Sequence, residues 1–349
     1  MIDRRKFIKA GAITGLAVSI GQTGIASTMS SLTAQGKRVG IIGLDTSHSI
    51  AFTKVLNAAD ASDTFYGYKV VAAYPHGSLD IKSSVERIEG YTNQMREMGV
   101  AITGSIEELL TKVDVVLLET NDGRRHLEQA MPVLKAGKRI FIDKPMTASL
   151  SDAMVIFDAA NRYGIPIFSA SSLRYIQEMD EIKNGAVGKV IGAETYSPSK
   201  FEKTHPDFFW YGIHGVESLF TAMGTGCIKV IRANTPDADV VVGTWNDGRI
   251  GTFRGLRNEK MGFGGCVFGE KAIKTLGSYN GYNPLLKDIV KYFETGEVPV
   301  SPEETLEILA FMEAADESKK RGGIPVSMEK IMEKAQKESK KYKDKTALG

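Results

Sequence analysis

A chain of 349 residues is too long for one ordinary domain and suits two with separate cores. With 42% hydrophobic and 25% charged residues it reads as a soluble globular protein, and 44 basic against 42 acidic residues leave a formal charge of +2. That balance excludes a general electrostatic attraction to nucleic acid or to a membrane surface. Cys227 and Cys266 form no CxxC pair, which excludes a cysteine-based zinc or redox centre and leaves two unpaired thiols as the expectation, a single disulfide as the alternative.

The N-terminus, Asp3-Arg4-Arg5-Lys6-Phe7-Ile8-Lys9, is basic and is followed by an uncharged, moderately apolar stretch from Ala10 to about Ile20. Small residues then surround Ala26-Ser27. This is the layout of a signal peptide, and the paired arginines resemble a twin-arginine export signal. The apolar run is shorter than the ~20 residues a spanning helix needs. The expectation is a signal peptide over 1–26, a linker over 27–36, and a mature protein working in the periplasm or otherwise outside the cytoplasm, off the membrane once the signal is cleaved.

From Arg38 short β-rich runs alternate with helical stretches. Strands are expected at Arg38 to Leu44, Tyr68 to Ala73, Asp114 to Leu118, Arg139 to Ile142 and Pro166 to Ala170. Helices are expected at Ser47 to Ala59, Ser83 to Met98, Glu107 to Thr111, Gly123 to Ala136 and Leu150 to Tyr163. Such alternation predicts a doubly wound parallel sheet, with ligands at the carboxyl ends of its strands. After about Ser172 the β runs crowd together: Lys189 to Tyr196, Lys229 to Asn234, Val240 to Trp245, Ile250 to Leu256 and Gly265 to Gly269. They predict a largely antiparallel second sheet, with a hairpin at Asn246-Asp247-Gly248. Helices follow at Pro284 to Glu294 and Pro302 to Lys319, and Lys330 to Lys345 reads as a solvated helix face. The fold class is therefore α/β, a Rossmann-like domain over 37–172 followed by an α+β domain with an open antiparallel sheet over 173–349.

Several segments, in this order, carry a resemblance. They are Val113-Asp114-Val115-Val116 through His126, Ala136-Gly137-Lys138, Asp143-Lys144-Pro145, Leu173-Arg174-Tyr175, Gly185-Ala186-Val187-Gly188-Lys189-Val190, Pro302-Glu303-Glu304 and Glu313 to Ser318. From near Lys37 to near Met328 the chain resembles the Gfo/Idh/MocA family of NAD(P)-dependent oxidoreductases, the glucose–fructose oxidoreductase/inositol dehydrogenase type. Asp143 stands where that family's Glu-Lys-Pro signature has Glu. The resemblance implies a NAD or NADP cofactor, a carbohydrate-like small-molecule substrate and a homo-oligomer, relatives often pairing through the open face of the second sheet.

The departures fall in the cofactor site. Where the dinucleotide fingerprint would read Gly-x-Gly-x-x-Gly, the chain has Gly43-Leu44-Asp45-Thr46-Ser47-His48. Asp45 sets a carboxylate where the second glycine lets backbone approach a pyrophosphate, unless it serves as a helix N-cap. Thr46 and Ser47 still offer hydroxyls and free N–H groups at a helix start. The second strand ends without the usual acid for the adenosine ribose; Tyr74 there stacks on adenine or is a turn aromatic. The cofactor-binding set expected from the resemblance is Gly43, Asp45, Thr46, Ser47, His48, Tyr74, Thr120, Asn121, Asp143 and Lys144.

The resemblance implies a catalytic role for Lys144, whose ammonium would stabilise a developing alkoxide, the bland alternative being a pair with Asp143. His214 is the general acid/base the family keeps in its second signature, here Trp210-Tyr211-Gly212-Ile213-His214-Gly215-Val216-Glu217, or else a satisfied histidine at a helix start. Trp210 replaces that signature's first Asp, and Glu217 is a candidate to orient His214. Trp210, Tyr211 and Glu217 join Glu119, Arg124 and Arg174 as the substrate set; Arg124 and Glu119 are equally explicable as solvated loop charges. The functional expectation is an exported oxidoreductase acting on a sugar, polyol or glycoside with its cofactor tightly held, since the periplasm offers no ready supply of NAD(P). The alternative is a non-redox protein on the same scaffold, either sugar-derivative binding or lyase-like with a metal held from among Asp45, His48, Glu119, His126 and His214. No short-range metal spacing supports a metal, and none is assigned.

Overall fold

The computed structural model describes residues 36–258, 260–277 and 279–346, with side chains to 341. The expected signal peptide and nearly all of its linker lie outside these residues.

The first sheet is parallel, with strand order β3-β2-β1-β4-β5. Its strands are β1 (Arg38–Ile42), β2 (Lys69–Tyr74), β3 (Ala101–Ile102), β4 (Val115–Leu118) and β5 (Arg139–Ile142). Helices α1 (Ser47–Asn57), α2 (Lys82–Glu97), α3 (Ile106–Lys112), α4 (His126–Lys135) and α5 (Leu150–Tyr163) make the crossovers and continue the last strand. β4 and β5 are buried at every position, as the apolar runs Val115–Leu118 and 140–142, covered on both faces, must be, with Arg139 buried at the start of β5. Helix ends are set by local chemistry. Ser149 accepts from the Asp152 N–H to start α5, and Gly164, with φ +67°, ends it in the left-handed conformation. The run Pro166 to Ala170, expected as the last of five strands, makes only a parallel bridge between Phe141 and Phe168. Pro166 brings no N–H to a ladder.

The second sheet has seven strands in the order β11-β10-β6-β9-β8-β7-β12. They are β6 (Val190–Pro198), β7 (Cys227–Asn234), β8 (Ala238–Trp245), β9 (Ile250–Leu256), β10 (Gly264–Gly269), β11 (Ile273–Leu276) and β12 (Val326–Ser327). Every pairing is antiparallel except β6 with β9. Gly248, with φ +89°, makes the turn between β8 and β9. α6 (Gln177–Lys183) leads into this half; α7 (Ile213–Met223) and α9 (Pro302–Lys320) cover one face of the sheet, and α10 (Met328–Thr346) packs along α5 and α9. Ser301 caps α9 by accepting from the Glu304 N–H, with Pro302 at the first helical position.

The core is less divided than a boundary at residue 172 suggests. α8 (Asn283–Thr295) returns to the first sheet, where Leu285, Ile289 and Phe293 share a core with Val39, Ile41 and Phe141. α5 instead joins the core of the second half. The described residues accordingly cluster as one compact unit. Cys227 is buried, Cys266 half-buried, and both are free thiols. Among the described residues no helix is long and apolar enough to cross a membrane.

Candidate active site

A pocket of about 690 Å³ opens at the carboxyl ends of the parallel strands, between the two sheets. Its floor on the first-sheet side is the start of α1 (Thr46, Ser47, His48) with Asn121 and Lys144. The opposite wall comes from Trp210, Tyr211 and His214 at the start of α7. Thr46, rather than Asp45, is the N-cap of α1, accepting from the His48 N–H at 3.1 Å. At the same end of the pocket lie Ser83 and Arg87 on α2. The loops after β9 and β11 close the far side with Met261, Phe263, Tyr279 and Tyr282.

Lys144 is 8% exposed, and its ammonium lies 3.4 Å from Asp143 Oδ2. Burial presses this lysine toward neutrality, but Asp143, Tyr211, Tyr282 and Glu119 outweigh it and its pKa rises, so it stays charged. His214 Nδ1 is 2.7 Å from Ser171 Oγ, which leaves Nε2 for a ligand. Burial, the Lys144 ammonium and His48 push this imidazole well below the usual histidine range, against a smaller pull from Asp143. It is therefore neutral near pH 7 and able to take up a proton.

Glu217 does not orient His214. Its Oε1 accepts from the Ser171 N–H at 2.8 Å and from Arg174 Nε at 2.9 Å. Arg174 reaches on to Glu304 at 2.7 Å and is 5% exposed. These substrate candidates are a buried ion network behind the pocket, and the residue that holds His214 is Ser171. Arg124 is also turned to the protein, paired with Asp80 and with Asp122 at 2.7 Å. Of the expected substrate set, only Trp210 and Tyr211 line the pocket.

Asp45 departs most from expectation. It is fully buried and does not line the pocket. Its carboxylate accepts from the backbone N–H of Ser78, at 3.1 Å, and of Asn121, at 2.9 Å, so it ties the loop after β2 to the loop after β4. Gly77 permits this approach, since a Cβ there would stand 2.2 Å from Asp45 Oδ2. Gln129, donating to the His76 carbonyl at 3.0 Å, and the Arg124–Asp80 pair tie the same two loops. Tyr74 lies against His76 and outside the pocket wall. Thr120 donates to Gln129 at 2.7 Å. Both ring nitrogens of His126 face carbonyl oxygens, of Met146 and Thr120, so it staples the loops after β4 and β5. Gly43 serves the turn: φ is +91° and a Cβ would meet Thr120 backbone at 2.5 Å.

Below the floor, His48, Glu119 and Asp143 converge. His48 Nδ1 is 3.1 Å from Asp143 Oδ2 and 3.5 Å from Glu119 Oε2, and both carboxylates are fully buried. Burial alone would lower the His48 imidazole, but the two carboxylates lift it to about 10. Burial and the neighbouring Asp143 lift Glu119 to about 7. Glu119 and Asp143, expected at substrate and cofactor, meet His48 instead of the pocket. Asp45, His126 and His214 stand apart from this group.

Sequence reasoning missed Arg87, Ser171, Tyr279 and Tyr282. The last two carried a signal, two tyrosines in the Gly-rich loop Gly277 to Tyr282, but nothing local says where that loop lands. The pocket suits a nicotinamide dinucleotide at its phosphate and reacting ends. The first turn of α1 with Ser47, Ser83 and Arg87 is a donor set for a diphosphate, and Lys144 and His214 line the same pocket. The tied loops after β2 and β4 are where it departs from a usual adenosine crevice.

Residues 37–170 match the sequence model of the Gfo/Idh/MocA oxidoreductase family, NAD-binding Rossmann fold. The chain is 30% identical over 165 residues to 1,5-anhydro-D-fructose reductase of Ensifer adhaerens, an alignment covering 46% of this chain and 44% of that protein. The chain thus spans less than half the length of the curated relatives it matches. Among solved structures it is similar to myo-inositol 2-dehydrogenase from Lactobacillus plantarum, with a TM-score of 0.68 at 16% identity, covering 84% of this chain and 99% of that one. It is likewise similar to scyllo-inositol dehydrogenase from Lactobacillus casei with bound NAD(H) and scyllo-inositol, with a TM-score of 0.64 at 14% identity, covering 84% and 99%. At these identities the structures establish the fold: a Rossmann-type parallel sheet joined to a mostly antiparallel one.

Proposed function

We propose that the protein is an NAD(P)-dependent oxidoreductase acting on a sugar, polyol or glycoside, exported through a twin-arginine signal over 1–26 with its cofactor tightly held. The observation that carries this reading is that Lys144 and His214 line one pocket with the start of α1. The family match of residues 37–170 and the inositol dehydrogenase folds support it.

Ser47, Ser83 and Arg87 would hold the diphosphate, and Asn121 and Lys144 line the same pocket. The cofactor, when bound, accepts or returns a hydride. His214 Nε2 takes the proton of the substrate hydroxyl, its ring held through Nδ1 by Ser171. The Lys144 ammonium stabilises negative charge on that oxygen. Trp210 and Tyr211 offer aromatic faces to the C–H faces of a ring-shaped substrate. The uncovered face of the second sheet, where Glu194, Tyr196 and Arg254 are exposed, supports pairing of two copies.

Lys144→Ala and His214→Ala are expected to lower kcat by at least ~100-fold while the unfolding midpoint stays within a few degrees. Full activity in both variants rejects the assignment. A second reading, a sugar-derivative binding protein without redox chemistry, is favoured by the ties through Asp45 across the adenosine crevice. It is separated from the first by whether nucleotide is bound at all.

A further inference from the structure

We infer that His48, Glu119 and Asp143 form a binding site for a divalent first-row transition-metal ion beneath the floor of the pocket. Three different elements supply the side chains: the first turn of α1, the loop after β4 and the loop after β5. One nitrogen and two carboxylate oxygens lie within 4.8 Å of one another. Nδ1 is 3.1 Å from Asp143 Oδ2 and 3.5 Å from Glu119 Oε2. Bonds of about 2.0–2.1 Å in a tetrahedral site place ligand atoms roughly 3.3 Å apart, so an ion enters with small shifts.

The independent observation is what these atoms lack. Among the described residues, Oε1 of Glu119 and Oδ1 of Asp143 are buried without a hydrogen-bond partner, and Oε2 of Glu119 has only His48 Nδ1, at 3.5 Å. Two carboxylates facing one imidazole in a dry site is a costly arrangement, and orphaned buried oxygens of this kind call for an ion or a water. Lys144, 3.4 Å from Asp143 Oδ2, takes part of that charge but reaches neither Glu119 oxygen within hydrogen-bond distance. The edge of the Tyr282 ring, 4.4 Å away between centroids, and Phe52, at 5.5 Å, pack the imidazole. One imidazole and two carboxylates is a donor set for Zn, Mn or Fe, whereas Mg and Ca prefer oxygen alone. His48 and Lys144 line the pocket, which gives the ion a way in and leaves a coordination position toward a ligand there. The site stands whether or not the pocket above it does redox chemistry.

The test uses the full chain, first assayed for metal as purified, then stripped with chelator and titrated calorimetrically with Zn2+ and, separately, with Mn2+. The expected result is one ion per chain and a melting temperature raised by Zn2+. Glu119→Gln and Asp143→Asn, which keep shape and remove charge, are expected to weaken binding by ~100-fold or more. The stripped wild-type chain is its own control, so a variant that fails to fold leaves the wild-type stoichiometry and melting shift as the test. Absence of metal as purified together with no saturable binding overturns the site, and so does binding that both variants retain at wild-type strength. Neither result bears on retained nucleotide, which is measured separately.

Discussion

Replacing Asp45 by glycine restores the residue a dinucleotide fingerprint would carry at that position, and the structure predicts that this change does harm. Asp45 is fully buried and accepts from two backbone N–H groups, those of Ser78 and Asn121. Leaving a buried donor without its acceptor costs about 1–3 kcal/mol, so two donors set a range of roughly 2–6 kcal/mol. Burial also pushes the Asp45 carboxyl up, which means the ionised form carries a desolvation cost that the substitution relieves. Water entering the vacated space recovers part of the rest. The expected loss is therefore in the lower half of the range, about 2–3 kcal/mol for Asp45→Gly and about 1–2 for Asp45→Asn, which keeps one acceptor. At about 2 °C per kcal/mol for a chain of this length, Asp45→Gly melts roughly 4–6 °C lower. Urea unfolding followed by circular dichroism gives the energy, and titration with NADH and NADPH gives the second reading. Because the carboxylate faces away from the pocket, nucleotide binding is not expected to tighten tenfold, about 1.4 kcal/mol. A variant as stable as the parent that binds nucleotide more tightly refutes the strut and makes Asp45 an obstacle.

Ser171→Ala removes the partner of His214 Nδ1 and is expected to lower kcat about tenfold, the worth of one hydrogen bond, with nucleotide affinity unchanged; steady-state kinetics and nucleotide titration read the two effects apart. Arg174→Ala strands Glu217 and Glu304 in a buried network and should cost about 3–5 kcal/mol in urea unfolding, with Arg174→Lys a poor rescue because two separate nitrogens serve two carboxylates. A loss under about 1 kcal/mol would mean the network is solvated in solution. Burial alone would lift Asp122, yet His205 and Arg124 hold its carboxyl well below the usual carboxylate range. Its folded pKa is below its unfolded value of about 3.9, so it stabilises the fold above that pH and the contribution is lost as pH falls further. Stability measured against pH should therefore drop in acid, and Asp122→Asn should flatten that drop; an unchanged slope contradicts the pairing.

Much of the fold was legible in the sequence because its signals are local. Leu150 to Tyr163 is bounded by a serine cap and a glycine, and Ile250 to Leu256 follows a hairpin turn; both elements fall where patterning put them. The short strands Ala101–Ile102 and Val326–Ser327 escaped, being too brief to show a period. The place of α8 was hidden for another reason: its apolar face shows that it packs, not on which sheet. At the site, the pocket positions of Lys144 and His214 followed from motif and strand end. Side-chain direction did not. Asp45 was expected beside the ligand and turned out to point into the protein, because two unpaired backbone N–H groups lie behind it. Glu217, one turn beyond His214 on α7, was drawn away by Arg174, a partner 43 residues off in sequence. Tyr279 and Tyr282 reach the pocket only through a loop whose landing point is a tertiary property.

The most direct test of the central claim is to denature the purified full-length protein and identify the released small molecules by mass spectrometry, followed by titration of the refolded or stripped chain with NAD(H) and NADP(H). The account predicts one nicotinamide dinucleotide per chain, or saturable binding of one when none is retained. No nucleotide released and no binding of either dinucleotide would contradict it, and would leave a sugar-binding protein built on a dehydrogenase fold.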